Sequence, residues 1–161
     1  MELPDWSRMG CGVHQAGYNT MLALLPELGG IIRTFPDSPL NFTWDVKIHM
    51  LMPRQYPCIP HWHCDFVPRE NGVQRFDLIK PHLPMYLWIS NGPLTQFKHG
   101  YLEPQKWHRF NQTDEHRGTA AAEFGWRCLI RAAHIDICPP KENDNIRRHC
   151  QVYLDADTYQ W

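Results

Sequence analysis

Alternation of apolar and polar positions is the clearest pattern in the chain. From Phe42 to Met52 (FTWDVKIHMLM), Val46, Ile48, Met50 and Met52 fall on one side of an extended backbone and Asp45, Lys47 and His49 on the other. That is the period of two of a strand with one face toward a core. Met85 to Ser90 (MYLWIS) repeats it, with Met85, Leu87 and Ile89 opposite Tyr86, Trp88 and Ser90, and runs into the turn pair Asn91-Gly92. Gly125 to Ala133 (GWRCLIRAA), extendable to Ile137, predicts a third strand, with Arg127, Leu129 and Arg131 on one side and Cys128, Ile130 and Ala132 on the other. Helical signal is confined to short pieces. Thr20 to Leu28 carries good helix formers until Pro26 and the Gly29-Gly30 pair interrupt them, and Thr119 to Phe124 is helix-compatible. The prolines between Pro53 and Pro60 predict a loop, and a late strand is expected at Gln151 to Leu154.

Composition agrees with this pattern. With 14 Pro and 10 Gly in 161 residues, few segments can sustain a long helix, so a mainly β fold with a few short helices is expected. The length suits a single domain over residues 1–161, burying roughly 70% of its unfolded surface. The 16 basic and 17 acidic residues leave a net charge of −1, without the basic footprint of a protein that holds duplex nucleic acid tightly. No apolar run approaches the roughly 20 residues needed to span a bilayer. The opening stretch Met1 to Gly10, with Glu2 and Asp5, lacks the basic-then-apolar layout of a signal peptide. A cytoplasmic protein is expected, in the host cytoplasm if the chain is viral, and there its six cysteines read as thiols or metal ligands rather than a disulfide framework.

Candidate chemistry centres on His63-Cys64-Asp65. In extended backbone an H-x-D triplet sends its imidazole and carboxylate to the same face, where they can share one metal ion. Ten His and ten Asp give about 0.6 such triplets by chance, and the chain has two. The second, His134-Ile135-Asp136, ends the strand that carries Arg127 and Arg131 with opposite parity to both. The first lies after an alternating strand and a proline-rich bend, and His116 follows it roughly fifty residues on, just before the GWRCLIRA strand. Two imidazoles and one carboxylate leave one face of an octahedral Fe(II) open, as binding of an oxo acid and dioxygen requires. An arginine deeper in the fold can hold the distal carboxylate of that acid by a bidentate pair. Arg127 is the first candidate and Arg131 the next; His108 is the alternative distal ligand.

On these residues the chain resembles the Fe(II)/2-oxoglutarate-dependent dioxygenase superfamily, whose core is a double-stranded β-helix, or jelly roll. The stretches YPCIPHWHCDFVPR and HRGTAAAEFGWRCLIRA are also similar to small phage and bacterial proteins of cupin-like shape. The resemblance covers roughly Asp45 to Ala133. It implies His63 and Asp65 as the first two metal ligands, His116 as the distal one, Arg127 as the co-substrate anchor, and Fe(II) and 2-oxoglutarate as cofactors for oxidising a second substrate. The interval from Asp65 to His116 is short for the family and leaves little room for the insertions that shape a substrate site. Tyr86 and Trp88 are candidates to line the same pocket, with Tyr86 on the co-substrate. Trp62 and Tyr56, which flank the metal motif, are candidates to stack on a small or nucleotide-like substrate.

Three alternatives belong to other classes. Cys58, His61, His63 and Cys64 form a C-x2-H-x-H-C cluster suited to zinc, without the paired C-x2-C spacing of structural zinc sites. The same barrel without redox chemistry would be a binding protein for a nucleotide or other anion held against Arg127 and Arg131. A viral β-sandwich with a structural or assembly role is the third. Phosphate-loop, dinucleotide, H-E-x-x-H and G-x-S-x-G motifs are absent. A homodimer through an exposed strand edge is compatible with all of these.

Overall fold

The computed structural model describes residues 2–140, the backbone of residues 145–147, and residue 152. Its centre is the pair formed by β2 (Phe42–Leu51) and β10 (Gly125–His134), antiparallel along their whole length with Phe42 opposite His134 and Leu51 opposite Gly125. On one side stand β1 (Gly12–Gly17) and β11 (Asn145–Arg147), on the other β5 (Met85–Ile89) and β8 (His108–Phe110), giving a six-stranded antiparallel sheet in the order β11-β1-β2-β10-β5-β8. A narrower sheet has the order β7-β6-β9, with β6 at Thr95–Phe97, β7 at Gly100–Tyr101 and β9 at His116–Gly118. An isolated antiparallel bridge between His63 and His116 extends it at its β9 edge. Arg69–Glu70 (β3) and Val73–Gln74 (β4) pair in a small hairpin.

The three predicted strands are present with the predicted parity, but both faces of the wide sheet are covered. One face presents Trp44, Val46, Ile48, Tyr86, Trp88, Cys128, Ile130 and Ala132 to an N-terminal helical layer that contributes Trp6, Met21, Leu25, Leu28, Ile31 and Ile32. Burying a large side chain of this kind is worth about 1.5–3 kcal/mol, and Trp44 and Trp88 are fully enclosed here. The other face packs Met85, Leu87, Ile89, Phe110 and Ala133 against Phe97 and Leu102. The polar stripe of β2 and the arginines of β10 therefore point into the space between the two sheets. Lys47 Nζ donates to the Pro57 carbonyl (2.7 Å) and Arg127 Nη2 to Thr95 Oγ1 of β6 (2.6 Å).

The helical layer consists of α1 (Trp6–Met9), whose N-cap Asp5 accepts from Ser7 N, α2 (Tyr18–Leu24), a 3-10 turn at Pro26–Leu28 and α3 (Gly29–Ile32). Pro26 ends α2 as expected. The Gly29-Gly30 pair, expected to stop the helix, instead opens another turn of it. Thr119 to Phe124 is not helical: Ala121 exchanges backbone bonds with the 54–55 segment, accepting from Arg54 N (2.8 Å) and donating to the Gln55 carbonyl (2.9 Å). The strand expected at Gln151 to Leu154 lies outside the described residues, apart from Val152. No helix among the described residues is long and apolar enough to cross a membrane.

Candidate metal centre

His63, Asp65 and His116 converge where the narrow sheet takes in the 62–64 segment. His63 N donates to the His116 carbonyl (3.0 Å) and His116 N to the His63 carbonyl (2.9 Å), so the two residues form a hydrogen-bonded antiparallel pair. Residues paired in this way project side chains to the same face, and the two imidazoles sit 4.5 Å apart between ring centroids. Asp65, two residues along from His63, joins them, as the extended H-x-D geometry predicts. Its Oδ1 lies 3.5 Å from His116 Nε2 and 3.8 Å from His63 Nε2, and the three ligating atoms all lie within 4.8 Å of one another.

Each imidazole is set in one tautomer by its other nitrogen. His63 Nδ1 is 2.8 Å from the His61 carbonyl and His116 Nδ1 is 3.2 Å from the Asp114 carbonyl. A carbonyl can only accept, so both Nδ1 atoms carry hydrogen, and at neutral imidazole both Nε2 lone pairs face Asp65. Asp65 is oriented too: its Oδ2 accepts from Arg131 Nη1 (2.7 Å), and Arg131 is held in turn by Asp45 Oδ2 through Nε (3.1 Å) and Nη2 (2.8 Å). Gln15 Nε2 donates to the other Asp45 oxygen (2.7 Å). His116 stacks on Phe97 with centroids 4.8 Å apart.

The charges follow from this packing. Burial alone would raise the Asp65 carboxyl, but Arg131 and the two imidazoles outweigh it and hold the group well below the usual carboxylate range. Burial lowers the His63 imidazole below its ordinary value, opposed by the bond to His61. Burial also works against charge on His116, but the hydrogen bond and charge of Asp65 prevail and raise it. An ion about 2.1 Å from each ligand separates neighbouring donors by about 3–3.4 Å, so the donors, at 3.5 and 3.8 Å from the Asp65 oxygen, would draw in by a few tenths of an ångström around it. Once His116 gives up its Nε2 proton to an incoming ion, two imidazole nitrogens and an ionised oxygen form a donor set that suits Fe, Zn or Mn, and the triad can hold a metal ion. Among the described residues no other group of His, Cys, Asp or Glu has this convergence. Cys58 and Cys64 of the alternative zinc cluster are not part of it.

The remaining candidate residues divide. Arg127 lies on the same face of β10 as Arg131 and is 1% exposed; apart from the bond to Thr95, its Nε and Nη1 have no partner. Arg131, the second candidate anchor, is instead committed to Asp45 and Asp65 and stacks over Phe66. Tyr86 and Trp88 do not line the site. They pair in register with Ala132 and Ile130, which places them on the opposite face of the wide sheet, where Tyr86 meets Phe35 and Trp88 meets Trp6. Trp62 also turns away: one residue out of phase with His63, it lies on the outer face of the narrow sheet between Lys98 (Nζ 3.8 Å from the ring centroid) and Arg117 (Cζ 4.7 Å). Tyr56 is half-buried in the loop before the triad. His108 bonds the Glu103 carbonyl from β8, so of the two candidate histidines only His116 converges with His63 and Asp65. Sequence reasoning missed Asp45, His49 and Thr95 as neighbours of these groups. The first two stood in the polar stripe of β2, whose inward direction depends on the second sheet. Comparison of the chain with family models, with curated proteins and with solved structures returns no match.

Proposed function

We propose that the protein is a non-haem Fe(II)- and 2-oxoglutarate-dependent oxygenase with a double-stranded β-helix core. The observation that carries this is a pairing inside one sandwich: a tautomer-set His-Asp-His triad on one sheet, and on the facing sheet a buried guanidinium with two unpartnered nitrogens. From β2 to β10, successive strands largely shuttle between the wide and the narrow sheet, which favours a double-stranded β-helix. When bound, Fe(II) and a 2-oxo acid would supply the oxidising chemistry, with dioxygen as the oxidant of both the oxo acid, which loses carbon dioxide, and a second substrate.

The chain's own residues bind and orient. His63, Asp65 and His116 present the metal ligands, and the carbonyls of His61 and Asp114 fix both rings. Arg127 and Thr95 receive the distal carboxylate of the oxo acid. Phe97, Phe110 and Leu87 keep the interior dry. His63 and Asp65 keep 18% and 14% of their side chains exposed against 6% for His116, so a small or nucleotide-like second substrate approaches from the His63–Asp65 side.

Anaerobic titration of the metal-free protein with Fe(II) and 2-oxoglutarate tests this through the visible charge-transfer band of the chelated oxo acid. A band saturating at one equivalent is expected, lost in His63→Ala and weakened in Arg127→Ala. Absence of both the band and tight metal binding would overturn the proposal. Because Nε and Nη1 of Arg127 lack partners independently of the triad, a small-anion-binding barrel without redox chemistry is the second reading; it predicts anion binding that survives His63→Ala.

A further inference from the structure

The wall of the sandwich beneath Arg127 holds a second buried group without partners. His49 of β2 is the cross-strand partner of Arg127 in the β2–β10 register, so both side chains stand on the same inward face. It is 1% exposed, and neither ring nitrogen has a hydrogen-bond partner. Burial, reinforced by the charges of Lys47 and Arg127, lowers the imidazole to about 2, so it is neutral with one N–H to donate. Arg127 is pushed down to about 10 by burial and has no carboxylate beside it, since Asp45 and Asp65 are both bonded to Arg131. Buried polar groups are almost always satisfied. Here Arg127 Nε, Arg127 Nη1 and the His49 ring are not, and Thr95 Oγ1 accepts from Arg127, leaving its own proton to donate. Every one of these groups can donate; because Nε and Nη1 lie on different edges of the guanidinium, an acceptor would meet Arg127 along one edge, through the second hydrogen of Nη2 with either Nε or Nη1.

We propose that His49 is a second recognition residue for the carboxylate that Arg127 holds, so that Arg127, Thr95 and His49 together select a small dicarboxylic acid by its far end. A carboxylate offers two oxygens and about four lone-pair positions, enough for one edge of the guanidinium (Nη2 with Nε or Nη1), one hydroxyl and one imidazole N–H. A single carboxylate also matches the one guanidinium charge. Lys47 is turned to the Pro57 carbonyl. Only the identity of the acid as an oxo acid rests on the oxygenase proposal; the clamp itself needs no metal.

The test uses the full chain freed of metal by chelation and titrated calorimetrically with glutarate, a five-carbon diacid without the 2-oxo group, with butyrate and inorganic phosphate in parallel. Glutarate is expected to bind more tightly than either. Its binding should be lost in Arg127→Met, weakened about 10-fold in His49→Leu, the scale of one hydrogen bond to a charged group, and largely restored in His49→Gln, with thermal unfolding confirming that each variant is folded. Glutarate binding unchanged in His49→Leu, phosphate binding more tightly than glutarate, or no glutarate binding by the parent would each overturn the assignment. Glutarate binding with the expected variant pattern, but no charge-transfer band with Fe(II) and 2-oxoglutarate, would mean that the oxygenase proposal fails while the clamp stands.

Discussion

Asp65 divides its two oxygens between different partners: Oδ2 takes the Arg131 guanidinium and Oδ1 faces the two imidazoles. A carboxylate held in this way offers a metal one oxygen in one direction, so Arg131 acts on the site through Asp65 as a positioning residue. Arg131→Leu should leave Asp45 and Asp65 as like charges on one face with no cation between them. Breaking a fully buried pair costs about 3–5 kcal/mol, and with Arg131 a quarter exposed a loss of about 2–3 kcal/mol is expected. Urea denaturation measures this, and adding Asp45→Asn should return part of the loss. Metal affinity should fall about 10-fold as Asp65 loses its fixed orientation. A rise in affinity would show that the positive charge of Arg131 matters more than its positioning.

The narrow sheet depends on one close approach. Gly118 of β9 donates its N–H to the Ile59 carbonyl (2.8 Å), and a Cβ added there would stand 2.6 Å from the Cys58 carbonyl oxygen. Backbone cannot yield as a flexible side chain does, so Gly118→Ala should push the 57–59 segment off β9 at a cost of about 1–3 kcal/mol. The same displacement should loosen the His63–His116 pair, lowering metal affinity in a variant that touches no ligand. Wild-type affinity in folded Gly118→Ala would show that the bridge does not depend on this contact. The two sheets were not equally legible from sequence. β2, β5 and β10 could be read because each alternates over five or more residues. β6, β7 and β9, at two or three residues, are too short to show a period. Parity within a strand was readable, and it put His63 with Asp65 and Arg127 with Arg131. Which face of β5 looks toward β9 was not, because both its faces are apolar and enclosed. Tyr86 and Trp88 were misplaced for that reason, and Trp62 because its own alternation with His63 was overlooked.

Stability of the whole molecule should carry the mark of its buried imidazoles. His49 is lowered from the usual 6.5 to about 2, chiefly by burial. Between those values the unfolded chain binds a proton that the folded chain refuses, so stability falls as pH drops below 6.5, at up to about 1.4 kcal/mol per pH unit for one such group. His14 and His63, also lowered by burial, add to this slope and His116 opposes it. His49→Gln should therefore flatten the loss between pH 6.5 and 4.5 in urea unfolding, and equal slopes in variant and parent would mean that His49 is charged in the native state. The backbone pair between His63 and His116 has a further consequence, for the order of assembly. Ligands that sit side by side along a chain, as in a small zinc module, let an ion gather them early and seed the fold. Here His63 and Asp65 lie two residues apart, but His116 comes from a distant segment that meets them only once the narrow sheet has taken in the 62–64 segment. An ion held by all three donors would therefore be captured after the sheets have closed, and would follow the fold instead of nucleating it.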